Sequence, residues 1–216
     1  MQPYSPLVDP LATRPVWAWL RRRAGLLLFL HNVMQTFVAA DRRYRPLYNR
    51  AVGNQIVVQL RLAGYQADSR IPVVLLSYSG GAQVATGAVE ELHRQLRAPV
   101  LVLMLGGFHN GANDLTHAEH VYQLTSASDR IERVGRWIFP QRWRLLWRSG
   151  WNRAVRAGKV SAHPLDPSTH VGPRSYISPT ALLLDGRSHL DRTTETVIEI
   201  VREYRVVTAS TWDTQP

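Results

Sequence analysis

The chain has no cysteine, which excludes disulfide staples, thiolate zinc sites and a cysteine nucleophile together and leaves the redox compartment open. Lysine occurs once against 25 arginines, a bias that reads as composition rather than as phosphate contacts spread over the surface. No zinc finger, basic zipper or aromatic RNA-binding signature accompanies the formal charge of +10, so nucleic acid is not an expected partner. Internal repeats and low-complexity linkers are also missing. No apolar run is long enough to span a bilayer: Ala24 to Ala40, after Arg21-Arg22-Arg23, covers seventeen residues and is interrupted by His31, Asn32 and Gln35. It has the outline of a signal peptide, with Val38-Ala39-Ala40 as the cleavage site, but its basic start lies too far into the chain. An amphipathic core helix is preferred, and with it a cytoplasmic location.

What is present suffices for one sizeable core, since 45% of 216 residues are hydrophobic. The expected organisation is an N-terminal helical segment over residues 1–45 and an α/β domain over 46–216, with a lid-like insertion at about 130–157. Charge is concentrated: residues 1–50 carry eight Arg against two Asp, and residues 130–159 carry nine basic residues against one Glu. The second segment also holds Trp137, Trp143, Trp147 and Trp151 among Arg136, Arg142, Arg144, Arg148, Arg153 and Arg156. If it is helical, Trp143, Leu146 and Trp147 share a face. Two readings stand side by side, peripheral contact with an anionic membrane and packing of the aromatics on the domain.

From Pro72 onward short apolar runs alternate with helical periodicity, the pattern of a mostly parallel sheet with crossover helices. Val73 to Leu76, Val100 to Leu105, His120 to Thr125 and Lys159 to Leu165 read as strands, with Thr180 to Asp185 as a further candidate. Helices are expected over about Tyr48 to Leu62, Gly81 to Arg97, Trp151 to Ala157 and Arg192 to Tyr204. On the second of these Ala85, Val89, Leu92 and Leu96 form the inner face, with Glu90, Glu91, Arg94 and Arg97 turned outward.

The chemistry lies at the end of the first strand. A serine becomes an effective nucleophile only beside a histidine base that a carboxylate orients. In Ser77-Tyr78-Ser79-Gly80-Gly81 the small residues around Ser79 permit a sharp passage from strand to helix, and the Gly80 amide can hold an oxyanion at the helix start. Asp129, in Thr125-Ser126-Ala127-Ser128-Asp129 after the third strand, is the candidate acid. It also suits a helix N-cap, and Asp114 is the reserve. His170, in a turn-rich loop after the fourth strand, is preferred as base, with His189 as the alternative and His163 last. Tyr78, Trp143 and Trp147 are expected to contact substrate. His109, His117 and His120 match no zinc spacing, so no metal is expected. Gly106-Gly107-Phe108-His109-Asn110-Gly111 lacks phosphate-binding spacing, so no nucleotide cofactor is expected either.

A small-x-Ser-x-Gly elbow between strand and helix, followed in order by Asp and His, resembles the α/β-hydrolase superfamily, with Ser77 in place of that family's first glycine. The resemblance covers roughly residues 46–205. It implies a serine hydrolase acting on carboxylic esters, with an apolar acyl group suggested by the Trp-rich segment. The family's earlier strands and its second oxyanion loop have no counterpart before Ser79, as expected of a sheet truncated on its N-terminal side. One edge would then be uncovered and turnover weak unless a partner or an upstream segment completes the sheet. The alternative function is a non-catalytic hydrolase-like module that associates with a membrane surface or a partner protein.

Overall fold

The computed structural model describes residues 39–212, with side chains through 205. Four strands, β1 (Val73–Tyr78), β2 (Val100–Leu105), β3 (His120–Thr125) and β4 (Val160–Pro164), form one sheet in sequence order. All three pairings are parallel, with Val73 opposite Val100, Leu101 opposite His120 and Val121 opposite Val160. The described residues also form the helices α1 (Arg45–Leu62), α2 (Gly81–Leu96), α3 (Arg130–Ile138), α4 (Gly150–Arg156) and α5 (His189–Trp212). The fold is α/β with crossover helices. The expected helix over 24–40 lies outside the described residues except for Ala39 and Ala40, which are helical.

β2 is buried along its whole length, as a continuous apolar run demands when both sheet faces are covered. Val100, Val102 and Met104 point into a core made with Ala82, Ala85, Val89, Leu92 and Leu96 of α2, while Leu101, Leu103 and Leu105 meet Leu124, Leu165, Tyr176 and Ile200 on the other face. Among the described residues no strand pairs with the outer edge of β1, where Leu76 is exposed.

Between β2 and β3 the crossover is an irregular loop rather than a helix, and its polar groups are met by side chains. Gln83 accepts from the Asn110 amide and donates to the Ala39 carbonyl. Asn113 donates to the Gln83 carbonyl and the Thr86 hydroxyl, and accepts from Asn49 of α1. α1 crosses α2 so closely that a Cβ on Gly53 would lie 2.5 Å from the Glu91 Cβ. Glu91 is therefore buried between the two helices and paired with Arg94 instead of facing outward as its spacing suggests.

Two further expectations are corrected. Thr180 to Asp185 is not a strand: the chain turns back at Asp185-Gly186, Leu183 donates to Arg187 O, and only an isolated bridge from Leu182 to Ser188 remains. Nor does a helix run through Trp143 to Trp147. A three-residue 3-10 turn, Pro140–Arg142, ends at Trp143, and the following bend is held by Asn152, whose Nδ2 donates to the carbonyls of Gln141, Trp143 and Leu146. Two of those carbonyls also close turns within the segment, Trp143 O accepting from Leu146 N and Leu146 O from Ser149 N.

Candidate active site

Ser79 sits where β1 turns into α2, with φ at +52°, a conformation costing a non-glycine residue on the order of 1–3 kcal/mol. The elbow is held from both sides: the Ser79 amide donates to Leu105 O at 3.0 Å and its carbonyl accepts from Phe108 N at 2.9 Å. Ser77 fits the elbow because a Cβ at Gly81 would still be 3.7 Å from the Ser77 Cβ, while its hydroxyl donates to Leu103 O. Gly80 caps α2; the Ala82 and Gln83 amides at the helix start donate to the Ser79 and Gly80 carbonyls, which leaves the Gly80 amide, next to Ser79, as the candidate oxyanion donor.

His170 comes from the loop after β4, and its Nε2 lies 2.7 Å from Ser79 Oγ. Its Nδ1 lies 2.8 Å from Asp129 Oδ2. An ionised carboxylate only accepts, so Nδ1 carries the ring proton and Nε2 is left as acceptor for the serine hydroxyl. Burial opposes ionisation of Asp129, but the hydrogen bonds from His170, the Glu132 amide and Tyr176 prevail and hold its carboxyl below the ordinary range. Asp129 also caps α3, with Oδ1 accepting from Glu132 N at 2.9 Å. The N-cap and the His partner are thus the same carboxylate, one oxygen for each.

Close packing fixes this corner. Gly106 has φ +52°, and a Cβ there would lie 2.8 Å from Asp129 Oδ2, 2.9 Å from the Tyr176 ring and 3.1 Å from His170 Nδ1. The loops carrying acid and base are joined by Asp166, whose Oδ1 accepts from Ser126 Oγ and the Ala127 amide. Tyr78 does not face open space: its ring stacks on His170 with centroids 5.3 Å apart, and its hydroxyl donates to the His170 carbonyl.

The structure brings Ser79, Asp129 and His170 together and leaves the alternatives apart. His189 is buried with Nδ1 2.8 Å from Ser168 Oγ, and burial and the nearby Arg174 and Arg192 depress its pKa. His163 lies on β4 beside Ser161. Asp114 pairs with Arg153 at 2.8 Å. Trp143 and Trp147 are exposed, the first donating to the carbonyls of Arg136 and Trp137, the second flanked by the guanidinium groups of Arg148 and Arg156. Tyr176, which spacing did not single out, is fully buried and donates to Asp129 Oδ2 at 3.0 Å. Burial first, then Asp129, push its hydroxyl pKa up, so it remains a donor. The only sequence signal was a lone aromatic in a turn-rich loop, six residues after His170.

Among the described residues no group of three or more His, Asp or Glu could hold a metal ion, and no helix is long and apolar enough to cross a membrane. His109, considered for a metal, is buried against Trp151 with its ring centroid 4.9 Å away. A scan against protein-family models, a search of curated proteins and a search of solved structures each returned no match.

Proposed function

We propose that this chain is a serine hydrolase of the α/β-hydrolase type that cleaves carboxylic esters with an apolar acyl group. One observation carries the reading: an unbroken hydrogen-bonded relay from Ser79 Oγ through His170 to Asp129, built from the loops after three strands of a parallel sheet. The polarity of that relay is the one acyl transfer needs. His170 Nε2 takes the hydroxyl proton as Ser79 Oγ bonds to the acyl carbon, and Asp129 stabilises the resulting imidazolium. The Gly80 amide, at the head of α2, donates to the carbonyl oxygen as it gains negative charge. His170 then returns the proton to the departing alkoxide, leaving an acyl-serine. Water, deprotonated by the same Nε2, attacks this ester; the acid leaves and Ser79 regains its proton.

A second reading, a hydrolase-like module without turnover, draws on the unpaired outer edge of β1 among the described residues and on a single identified oxyanion donor. A missing donor lowers turnover by roughly 10²–10³, so weak hydrolysis and none are distinct outcomes.

Labelling with a fluorophosphonate probe tests the proposal, because the probe reacts only with an activated serine. Wild type is expected to label, Ser79→Ala and His170→Ala to lose labelling, and His189→Ala to keep it. Folded wild-type protein that fails to label would sink the hydrolase reading and favour the non-catalytic module.

A further inference from the structure

The helix α3 is mounted with its polar side inward. Glu132 is enclosed and pairs with the equally enclosed Arg142 at 3.2 Å and with Arg136 at 3.3 Å. Gly135 lies against Phe108 so tightly that a Cβ would come within 2.6 Å of the ring. An ion pair and a glycine contact therefore fix the rotation of the helix, and the apolar residues are turned to solvent. Ile131 is 40% exposed, Val134 53%, Trp137 75% and Ile138 41%. The chain beyond adds Trp143, Leu145, Leu146 and Trp147, with Leu145 84% exposed. The bend that holds these outward is set by Asn152 through three carbonyls, not by burial of the side chains themselves.

A contiguous apolar patch of this kind marks an interaction surface, and its charge narrows the occupant. Glu132 is the only acid from residue 130 to 165, and it is buried. Arg133, Arg144 and Arg148 are exposed beside the apolar residues, and Arg148 and Arg156 lie over the Trp147 ring at 4.7 and 5.5 Å. Stacking on an indole leaves their positive charge uncompensated. Tryptophan belongs at the boundary between headgroups and acyl chains, and arginine beside it meets lipid phosphates.

We infer that the outer face of α3 and the bend through Trp147 dock on an anionic lipid bilayer surface. Asp129 caps α3 and also holds His170, so docking brings Ser79 up to the lipid surface. That last consequence rests on the hydrolase reading; the docking does not.

The test is co-sedimentation of the full chain with phosphatidylcholine vesicles, with and without phosphatidylglycerol. Binding is expected only with phosphatidylglycerol, and it should fall as salt shortens the screening length from about 10 Å at 0.1 M to about 3 Å at 1 M. Trp137→Ala/Leu145→Ala removes two solvent-exposed side chains and should weaken binding at least about tenfold with the circular dichroism unchanged. Arg144→Gln/Arg148→Gln should weaken it and flatten the salt dependence. The inference is overturned if the folded full chain ignores phosphatidylglycerol vesicles or binds both kinds equally without regard to salt. A wild-type dimer that ignores vesicles and becomes monomeric in Trp137→Ala/Leu145→Ala would also overturn it, assigning the face to a second copy.

Discussion

The corner around Ser79 and the segment from α3 to Trp147 share one residue, Asp129, and are held by opposite means. In the corner, polar side chains meet polar partners inside a close-packed frame: Gly106 leaves no room for a methyl group, and Tyr176 and His170 both donate to Asp129 Oδ2. In α3 the inward anchor is a buried ion pair, Glu132 with Arg142, and the apolar residues face out. The first arrangement fixes the reacting side chains by direct hydrogen bonds and close contact. The second secures a helix rotation that hydrophobic burial alone would reverse, at a cost in desolvation: Arg142 Nε and Nη1 have no hydrogen-bond partner, and burial lowers the guanidinium pKa to about 10.

Asp129→Asn should break the corner most severely. Asparagine can still cap α3, but it no longer holds the proton on Nδ1 of His170, so ester turnover is expected to fall by about 10⁴ with the fold intact. Parallel assays of turnover and thermal unfolding check this, and a matching loss of stability would make Asp129 a structural cap only. Glu132→Leu should break the other region. It leaves Arg142 buried and unpaired, a loss of about 3–5 kcal/mol in denaturant unfolding, whereas Glu132→Leu/Arg142→Met should recover most of it. Equal losses in both variants would remove the ion pair as the anchor.

Tyr176→Phe sharpens the comparison more gently. It deletes one of the hydrogen bonds to Asp129 Oδ2, and a loss of about 1 kcal/mol in stability and of roughly tenfold in turnover is expected. An unchanged turnover would leave Tyr176 as packing alone. The smallest effect concerns pH. Burial first and Arg142 second hold His109 well below the ordinary imidazole range, and burial first, then Arg174 and Arg192, lower His189. Their folded pKa values lie below the unfolded value of about 6.5, so the unfolded chain binds more protons and stability falls as pH drops below that value. Urea midpoints measured from pH 7 to 5 should decline, and His109→Gln should flatten the decline.

Strand β2 was legible because VLVLML cannot sit in a half-exposed sheet, and the elbow because small residues around Ser79 join a strand to a helix. The order Ser79, Asp129, then a histidine was equally legible. Choosing the histidine was not a matter of local pattern: His189 follows an apolar run and precedes a helix as well as His170 follows a strand, and only the contact of His189 with Ser168 and of His170 with Asp129 separates them. Glu91 and Tyr176 were missed for a related reason, since each is placed by a partner far along the chain, α1 for the first and Asp129 for the second.

Sequence alone determined most of the strands and helices from Pro72 onward, a mostly parallel sheet and the chemical candidates, because residue period and turn composition act over a few neighbouring positions. Tertiary structure decided which candidates meet and which side of α3 faces water. Burial of apolar side chains alone would turn Ile131, Val134 and Ile138 of α3 inward. The helix is turned the other way because Glu132 is held by Arg142 ten residues later and Gly135 by Phe108 from another loop, contacts that exist only once the chain has folded.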